Sequence, residues 1–419
     1  MCTVTIGNRC TLGAGVTNGA VRWVDGVREL VAWPIGGGRV RPTTVAQLED
    51  ASLAWVVRAF EQGNARGVLA SAGYDRRDGW RAARLGDTAS LVPTLLRFAS
   101  VDPFARLRPL AYRAGTALQS YQLADGSLGR SAAAAETAAA IDAWCALAVD
   151  SNDMSWLEPA RAAAAALLSD SPLSALGGML PVSVAGPLCR LARLAGDARY
   201  ASAARPLLDR VVGRQRDDAW IDRPPPDETE PQRTRDVVAM CLDLLTGADA
   251  LEEPVYADAA MRAGSGLLGV YQDMRGLPVQ LVASWQPRGP WDPAADAMAA
   301  TLWLRLAERT ASADFRSAAG LVVDRLRRSV WIQPGQPGTS GALRATTSIG
   351  PIEASCSHPT RATVSMLDLV ADMRWGAGRV AFAQPAMAID NTAGAFAFAP
   401  ARSQWTRTLP VPLSLARPA

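Results

Sequence analysis

One pattern recurs along most of this chain and leaves few folds open to it. A helix with a polar face, a loop, and a second, more apolar helix repeat from about residue 45 to residue 373. The more apolar helices are expected over 87–99, 135–149, 182–195, 234–246, 294–309 and 359–373; their polar-faced predecessors fall over 45–61, 104–121, 156–168, 199–214, 255–271 and 315–330. Within 104–121, Phe104, Leu107, Leu110, Ala111, Ala114 and Leu118 form one apolar stripe while Arg106, Arg108 and Arg113 face away. Within 135–149, Ile141, Trp144, Cys145 and Leu147 occupy more than one face, so that helix requires neighbours all round. Six such hairpins, outer amphipathic helix first and inner apolar helix second, bury their faces most completely by closing on themselves. The expected fold is therefore all-α, an (α/α)6 toroid over residues 45–373.

The ends depart from the helical period. Residues 1–44 form an expected β-like arm, with a hairpin around Asp25-Gly26 in 20–33 and a stretch, 6–17, that matches two turns of a hexapeptide β-helix. Two such turns cannot bury a core alone, so 6–17 reads as a glycine-rich arm packed on the ring. Residues 374–419 form an expected extended tail, alternating in GRVAFAQPAMAI and GAFAFAP.

Composition narrows the chemistry. Among 419 residues, 43 basic side chains nearly balance 40 acidic ones, so no net field attracts nucleic acid. Every basic residue is arginine, which removes Schiff-base and P-loop lysine chemistry and, with the richness in Ala, Gly and Pro, points to a GC-rich bacterial genome. A single histidine, His358, excludes sites that need two, and neither CxxC nor DDxxD occurs, so no metal and no cofactor is expected. Six scattered cysteines read as reduced structural thiols. The sequence offers no secretory leader or membrane span, and the expected location is the cytoplasm.

Connections from outer to inner helices lengthen along the chain and carry tryptophans and prolines. Those at 122–134, 215–233, 272–294 and 332–358 must share one face of a toroid, which makes that face the expected mouth. The carboxylates expected at the mouth are Asp125, Asp217, Asp218, Asp222, Asp227, Glu228, Glu230, Asp292, Asp296 and Glu353. Glycosidic cleavage needs two carboxyls across a bond, one protonated and one ionised. Asp218 and Asp292 are the expected catalytic pair because each lies near a loop tryptophan, Trp220 or Trp291, on which a sugar face could stack. Trp285, Asp125, Glu228, Glu353 and His358 complete the expected binding set, with Arg288 and Arg344 placed to hold a uronate or phosphate.

Gln122 in QLADGSLG, Gln215 in QRDDAW and Gln272 in QDMRGLP share a local form that resembles the QW-type repeat of terpenoid cyclase and protein prenyltransferase toroids. The stretch SWQPRGPWDPAADAMAATLWLRLAERT, with GALRATTS and HPTRATVSMLDL, is more similar to helical toroid proteins associated with bacterial polysaccharide biosynthesis. The first resemblance implies a toroid; the cyclase aspartate motifs DxDD and DDxxD are missing, and His358 lacks the Asp-x-Cys partner of the prenyltransferase zinc site. Two readings follow. One is an enzyme acting on a carbohydrate polymer or its lipid-linked precursor; the other is a non-catalytic toroid that binds a glycan or a partner protein of a biosynthetic assembly. Isoprenoid cyclisation stands third.

Overall fold

The computed structural model describes residues 40–376, apart from 65–66, 77, 102–103, 129–133, 171–181, 223–229, 334–335 and 345–356. The arm readings at 6–17 and 20–33, the tail beyond 376, and Asp227, Glu228 and Glu353 lie outside the described residues.

Twelve α-helices are found among the described residues. The outer ones are α1 (Val45–Gly63), α3 (Arg108–Ser120), α5 (Leu157–Asp170), α7 (Ala198–Val212), α9 (Pro254–Met274) and α11 (Ala313–Ser329). The inner ones are α2 (Leu85–Ala99), α4 (Ala134–Ser151), α6 (Ala185–Ala195), α8 (Thr234–Leu251), α10 (Pro293–Thr310) and α12 (Thr360–Trp375). Each inner helix packs on the next, from α2 through α4, α6, α8 and α10 to α12, and α12 returns to α2. That cyclic order defines an (α/α)6 toroid with its core between the two layers.

The tightest pairs differ from the expected hairpins. Of its two neighbouring outer helices, an inner helix packs more extensively on the one that follows it, as α4 does on α5 and α10 on α11. Chain economy explains this, because these inner-to-outer links are short. Gly196, Glu252 and Ala311 each take a left-handed conformation after an inner helix, and Asp197, Glu253 and Ser312 then begin the outer one. Contacts with the preceding outer helix recur in form. Trp144 of α4 donates its indole N–H to the carbonyl of Gly115 on α3 at 3.2 Å, and Trp303 of α10 does the same to Gly264 on α9 at 3.0 Å. Both glycines admit a leucine of the inner helix, Leu147 or Leu306, where a Cβ would collide.

All outer-to-inner connections emerge on the face where inner helices begin. The first of them, 64–84, is also long, and it builds β1 (Gly73–Asp75) and β2 (Gly79–Trp80). With β6 (Ser357–Pro359) they form an antiparallel sheet, ordered β2-β1-β6, that stitches the first connection to the last. A second sheet joins β3 (Gln232–Arg233) to the hairpin of β4 (Pro278–Val282) and β5 (Gln286–Trp291). Loop backbone is thereby satisfied by pairing between connections that are far apart in sequence.

Candidate functional site

Two of the three glutamine motifs are copies of one turn. Gln122 donates its side-chain amide to the carbonyls of Gly126, at 3.0 Å, and Pro159 on the next outer helix, at 2.9 Å. Gln215 does likewise to Ala219, at 3.2 Å, and Ala259, at 2.9 Å. Asp125 and Asp218 occupy equivalent places, each accepting the backbone N–H two residues on, that of Ser127 or Trp220. Gln272 departs from the form, for it lies exposed in the last turn of α9.

This equivalence defines what Asp218 does. It is exposed, and hydrogen bonds from Ser284 and the Trp220 N–H hold its carboxyl below the usual range, so it is ionised. Hydrogen bonds from Ser127 hold Asp125 low in the same way. Trp220 is buried at 1% exposure and meets Trp285 edge-to-face at 5.3 Å. Trp285 donates its indole N–H to the Asp218 carbonyl at 2.9 Å, tying the tip of the β4–β5 hairpin to this turn. Trp220 offers no ring face to a sugar.

Asp292 lies at the other end of that hairpin. From Trp285 to Asp292 the chain runs as strand, which at about 3.3 Å per residue separates hairpin tip and base by roughly 20 Å. A glycosidase pair needs about 5 to 10 Å. The expected pairing of Asp218 with Asp292 therefore gives way. Asp292 is 1% exposed, caps α10 through the Ala294 N–H at 3.0 Å, and receives both Nε and Nη2 of Arg235 at 2.5 and 2.9 Å. Asp296, one turn on, is pushed up to about 7 by burial, and its oxygens are occupied by the Leu277 N–H and the Trp291 indole at 2.7 and 2.6 Å. Trp291 is covered on one face by the Arg325 guanidinium at 3.8 Å. Arg288 is exposed on β5 opposite Gln280, and Arg344 is half-buried beyond Leu343. His358 is 2% exposed in β6, opposite Tyr74, as a strand residue of the first sheet.

The convergent charges sit one step inward, in the first turns of the inner helices. Thr360 and Arg361 open α12; Thr360 Oγ1 donates to the Ser71 carbonyl at 2.6 Å, and Arg361 Nε to Asp87 Oδ1 of α2 at 2.7 Å. Thr234 and Arg235 open α8 identically, binding the Pro278 carbonyl and Asp292. In both places an inner helix reaches to the next connection and the start of the next inner helix. They differ in saturation. Asp292 is consumed by its cap and a two-pronged arginine, whereas Asp87 gives Arg361 only Oδ1, and Arg361 keeps half of its side chain exposed. Glu136 of α4 joins them. A Cβ built on Gly86 would lie 2.7 Å from Arg361 Nη2 and 2.8 Å from Glu136 Cγ. Burial raises the Asp87 carboxyl, Arg361 and Arg84 oppose the shift, and the Glu136 charge adds to it.

Asp87, Glu136 and Arg361 lie in the first turns of helices, away from the loop tryptophans that marked Asp218 and Asp292. The signal was available: each is the charged residue in the first turn of an inner helix. Among the described residues, no group of three or more His, Cys, Asp or Glu is arranged to hold a metal ion, and no helix is long and apolar enough to cross a membrane.

No family model matches the chain, and no curated protein matches it in sequence. Solved structures do match in fold. The unsaturated glucuronyl hydrolase of Bacillus sp. GL1 superposes with a TM-score of 0.62 at 12% identity, over 80% of this chain and 98% of its own. A sugar epimerase from a ruminal bacterium gives 0.60 at 10%, over 78% and 97%. An α-mannanase of Bacteroides thetaiotaomicron gives 0.55 at 11%, over 78% and 95%. At such identities the likeness is one of fold. The toroid that the QW-like repeats implied is the fold shared with these structures, while the likeness is not specifically to terpenoid cyclases or prenyltransferases; here the turns of Gln122 and Gln215 fasten outer helices.

Proposed function

We propose that this protein is a carbohydrate-active enzyme whose chemistry is carried by Asp87 and Glu136 at the mouth of the toroid. The supporting observation is their convergence with Arg361 over Gly86, at the starts of three neighbouring inner helices. Asp87 suits a general acid, since burial raises its carboxyl and only one of its oxygens is taken by Arg361. Glu136 supplies the second carboxylate, to activate water or to abstract a proton beside a sugar carbonyl. The carbohydrate-active toroids of the same fold support this class of substrate, as does the resemblance to proteins associated with polysaccharide biosynthesis. The substrate is then a glycan, polymeric or lipid-linked.

The test is turnover of a panel of bacterial oligosaccharides, read as new reducing ends or epimerised products by mass spectrometry and NMR. Wild type should convert at least one of them, and Asp87→Asn and Glu136→Gln should each lose about two to four orders of magnitude in kcat. Glycan binding without conversion by wild type would support the non-catalytic toroid instead.

A further inference from the structure

The sheet that bridges the starts of α8 and α10 carries positive charge left unneutralised among the described residues. Register sets Arg233 of β3 opposite Gln280 of β4, and Gln280 opposite Arg288 of β5, so the three form one row across the sheet. Side chains in such a row share a face. The adjoining row turns the other way and buries Gln232 and Leu281, at 7 and 0% exposure, which leaves Arg233 and Arg288 exposed and Gln280 half-buried on the outer face. Two strand spacings put the arginines roughly 10 Å apart at Cα.

None of the three side chains hydrogen-bonds or ion-pairs with another described residue, and β3, β4 and β5 contain no acid. The row is also held in place. Gln232 donates to the Ile221 carbonyl at 2.7 Å, Thr234 Oγ1 donates to the Pro278 carbonyl, and the indoles of Trp285 and Trp291 fasten the two ends of the β4–β5 hairpin. Donors on a fixed sheet lose less freedom when a ligand arrives.

We propose that Arg233, Gln280 and Arg288 hold the diphosphate of a diphosphate-linked glycan. Two guanidiniums and an amide offer donors over a wide span, and a diphosphate is all acceptor, spread over two phosphorus centres. A single carboxylate is matched by one guanidinium, as Asp292 is by Arg235, so a uronate would leave one arginine of the row unused. The N-terminus of α8 begins directly after Arg233, without a side-chain cap, and adds positive potential there against one acid of its first turn, Asp236. The proposal rests on the glycan reading and names its substrate. In the cyclic order of inner helices α8 stands opposite α2, at about 16 to 20 Å if each step is one helix spacing, so the sugar that meets Asp87 is remote from the diphosphate.

Titration calorimetry with pyrophosphate, orthophosphate and glucuronate, in metal-free buffer at physiological ionic strength, tests it. Wild type should bind pyrophosphate at least about tenfold more tightly than either of the others. Arg233→Ala and Arg288→Ala should each weaken that binding about tenfold, whereas Asp87→Asn and Arg316→Ala, the latter an exposed arginine of α11, should leave it within about twofold. Competition by UDP-glucose and by farnesyl-diphosphate-linked N-acetylglucosamine identifies the carrier as nucleotide or lipid. Absence of pyrophosphate binding, glucuronate bound as tightly, equal losses in all three arginine variants, or failure of both glycans to compete would overturn the proposal. Turnover of an uncharged oligosaccharide without pyrophosphate binding removes the row as a site and leaves the mouth reading standing; pyrophosphate binding without turnover of any glycan does the reverse.

Discussion

Arg361 of the last inner helix donates from Nε to Oδ1 of Asp87 on the first, at 2.7 Å, and in doing so closes the ring at its mouth. The contact also sets the proton affinity of Asp87, since Arg361 is the foremost group opposing the effect of burial. Arg361→Gln removes that opposition and should raise the Asp87 carboxyl further. With Asp87 as general acid, activity falls as pH rises through its pKa, so the alkaline limb of kcat/KM should move to higher pH in the variant. A limb that stays in place would remove Asp87 from that role.

Gly86→Ala places a methyl group against Arg361 Nη2, the end of a flexible side chain, and against Glu136 Cγ and Cβ, which are held close to the α4 backbone. The helix itself gains up to about 1 kcal/mol from the exchange, which offsets part of the cost of moving Glu136. Turnover should fall at least about tenfold as the two charges are pushed apart, with the variant still folded by circular dichroism. Unchanged kinetics would show that Gly86 serves packing alone.

Asp292→Ala should destabilise by about 3 kcal/mol in urea unfolding, because it removes a helix cap and leaves Arg235, which is two-thirds buried, without its carboxylate. Asp218→Asn should leave both stability and turnover close to wild type, since an amide oxygen can still accept the Trp220 N–H. The opposite ranking of the two variants would contradict the roles assigned to them.

Burial pushes the Asp243 carboxyl up to about 8, and the Asp142 charge adds to the shift, while Arg190 and Arg305 oppose it. A carboxyl raised on folding binds more protons in the native state, so its contribution is complete below the unfolded value near 4 and is lost as pH rises through 8. Asp368, raised to about 6, acts in the same sense over a lower window. The thermal midpoint of wild type should decline between these limits, and Asp243→Asn should flatten the decline above pH 6. A variant whose profile parallels wild type would assign the slope to other groups.

The fold was legible because each inner helix is apolar on several faces, a demand that only a second layer and a ring of neighbours meet, as Trp144 and Trp303 show. Helix starts were legible to within a few residues for the same reason. The first connection was overlooked because one of its strands, β1, pairs with 357–359, far along the chain, and local pattern carries no trace of that partner. For the candidate site, the shared face of the long connections was legible, but the charges that converge there were not. Asp218 and Trp220 looked like an acid beside a stacking ring, and only the matching turn at Asp125 reveals the pair as turn and packing. Asp292 looked available until Arg235, 57 positions earlier, was brought against it. Asp87, Glu136 and Arg361 are separated by whole helices in sequence and meet only when the ring closes.

The most direct test of whether a glycan reacts between Asp87 and Glu136 is a crystal structure of Asp87→Asn bound to an oligosaccharide that wild type converts. The reacting sugar should lie over Gly86, with its reacting atoms about 3 to 3.5 Å from the residue 87 side chain or from Glu136. An oligosaccharide seated instead along the Trp220–Trp285 hairpin, or in the mouth with both side chains out of reach, would contradict it.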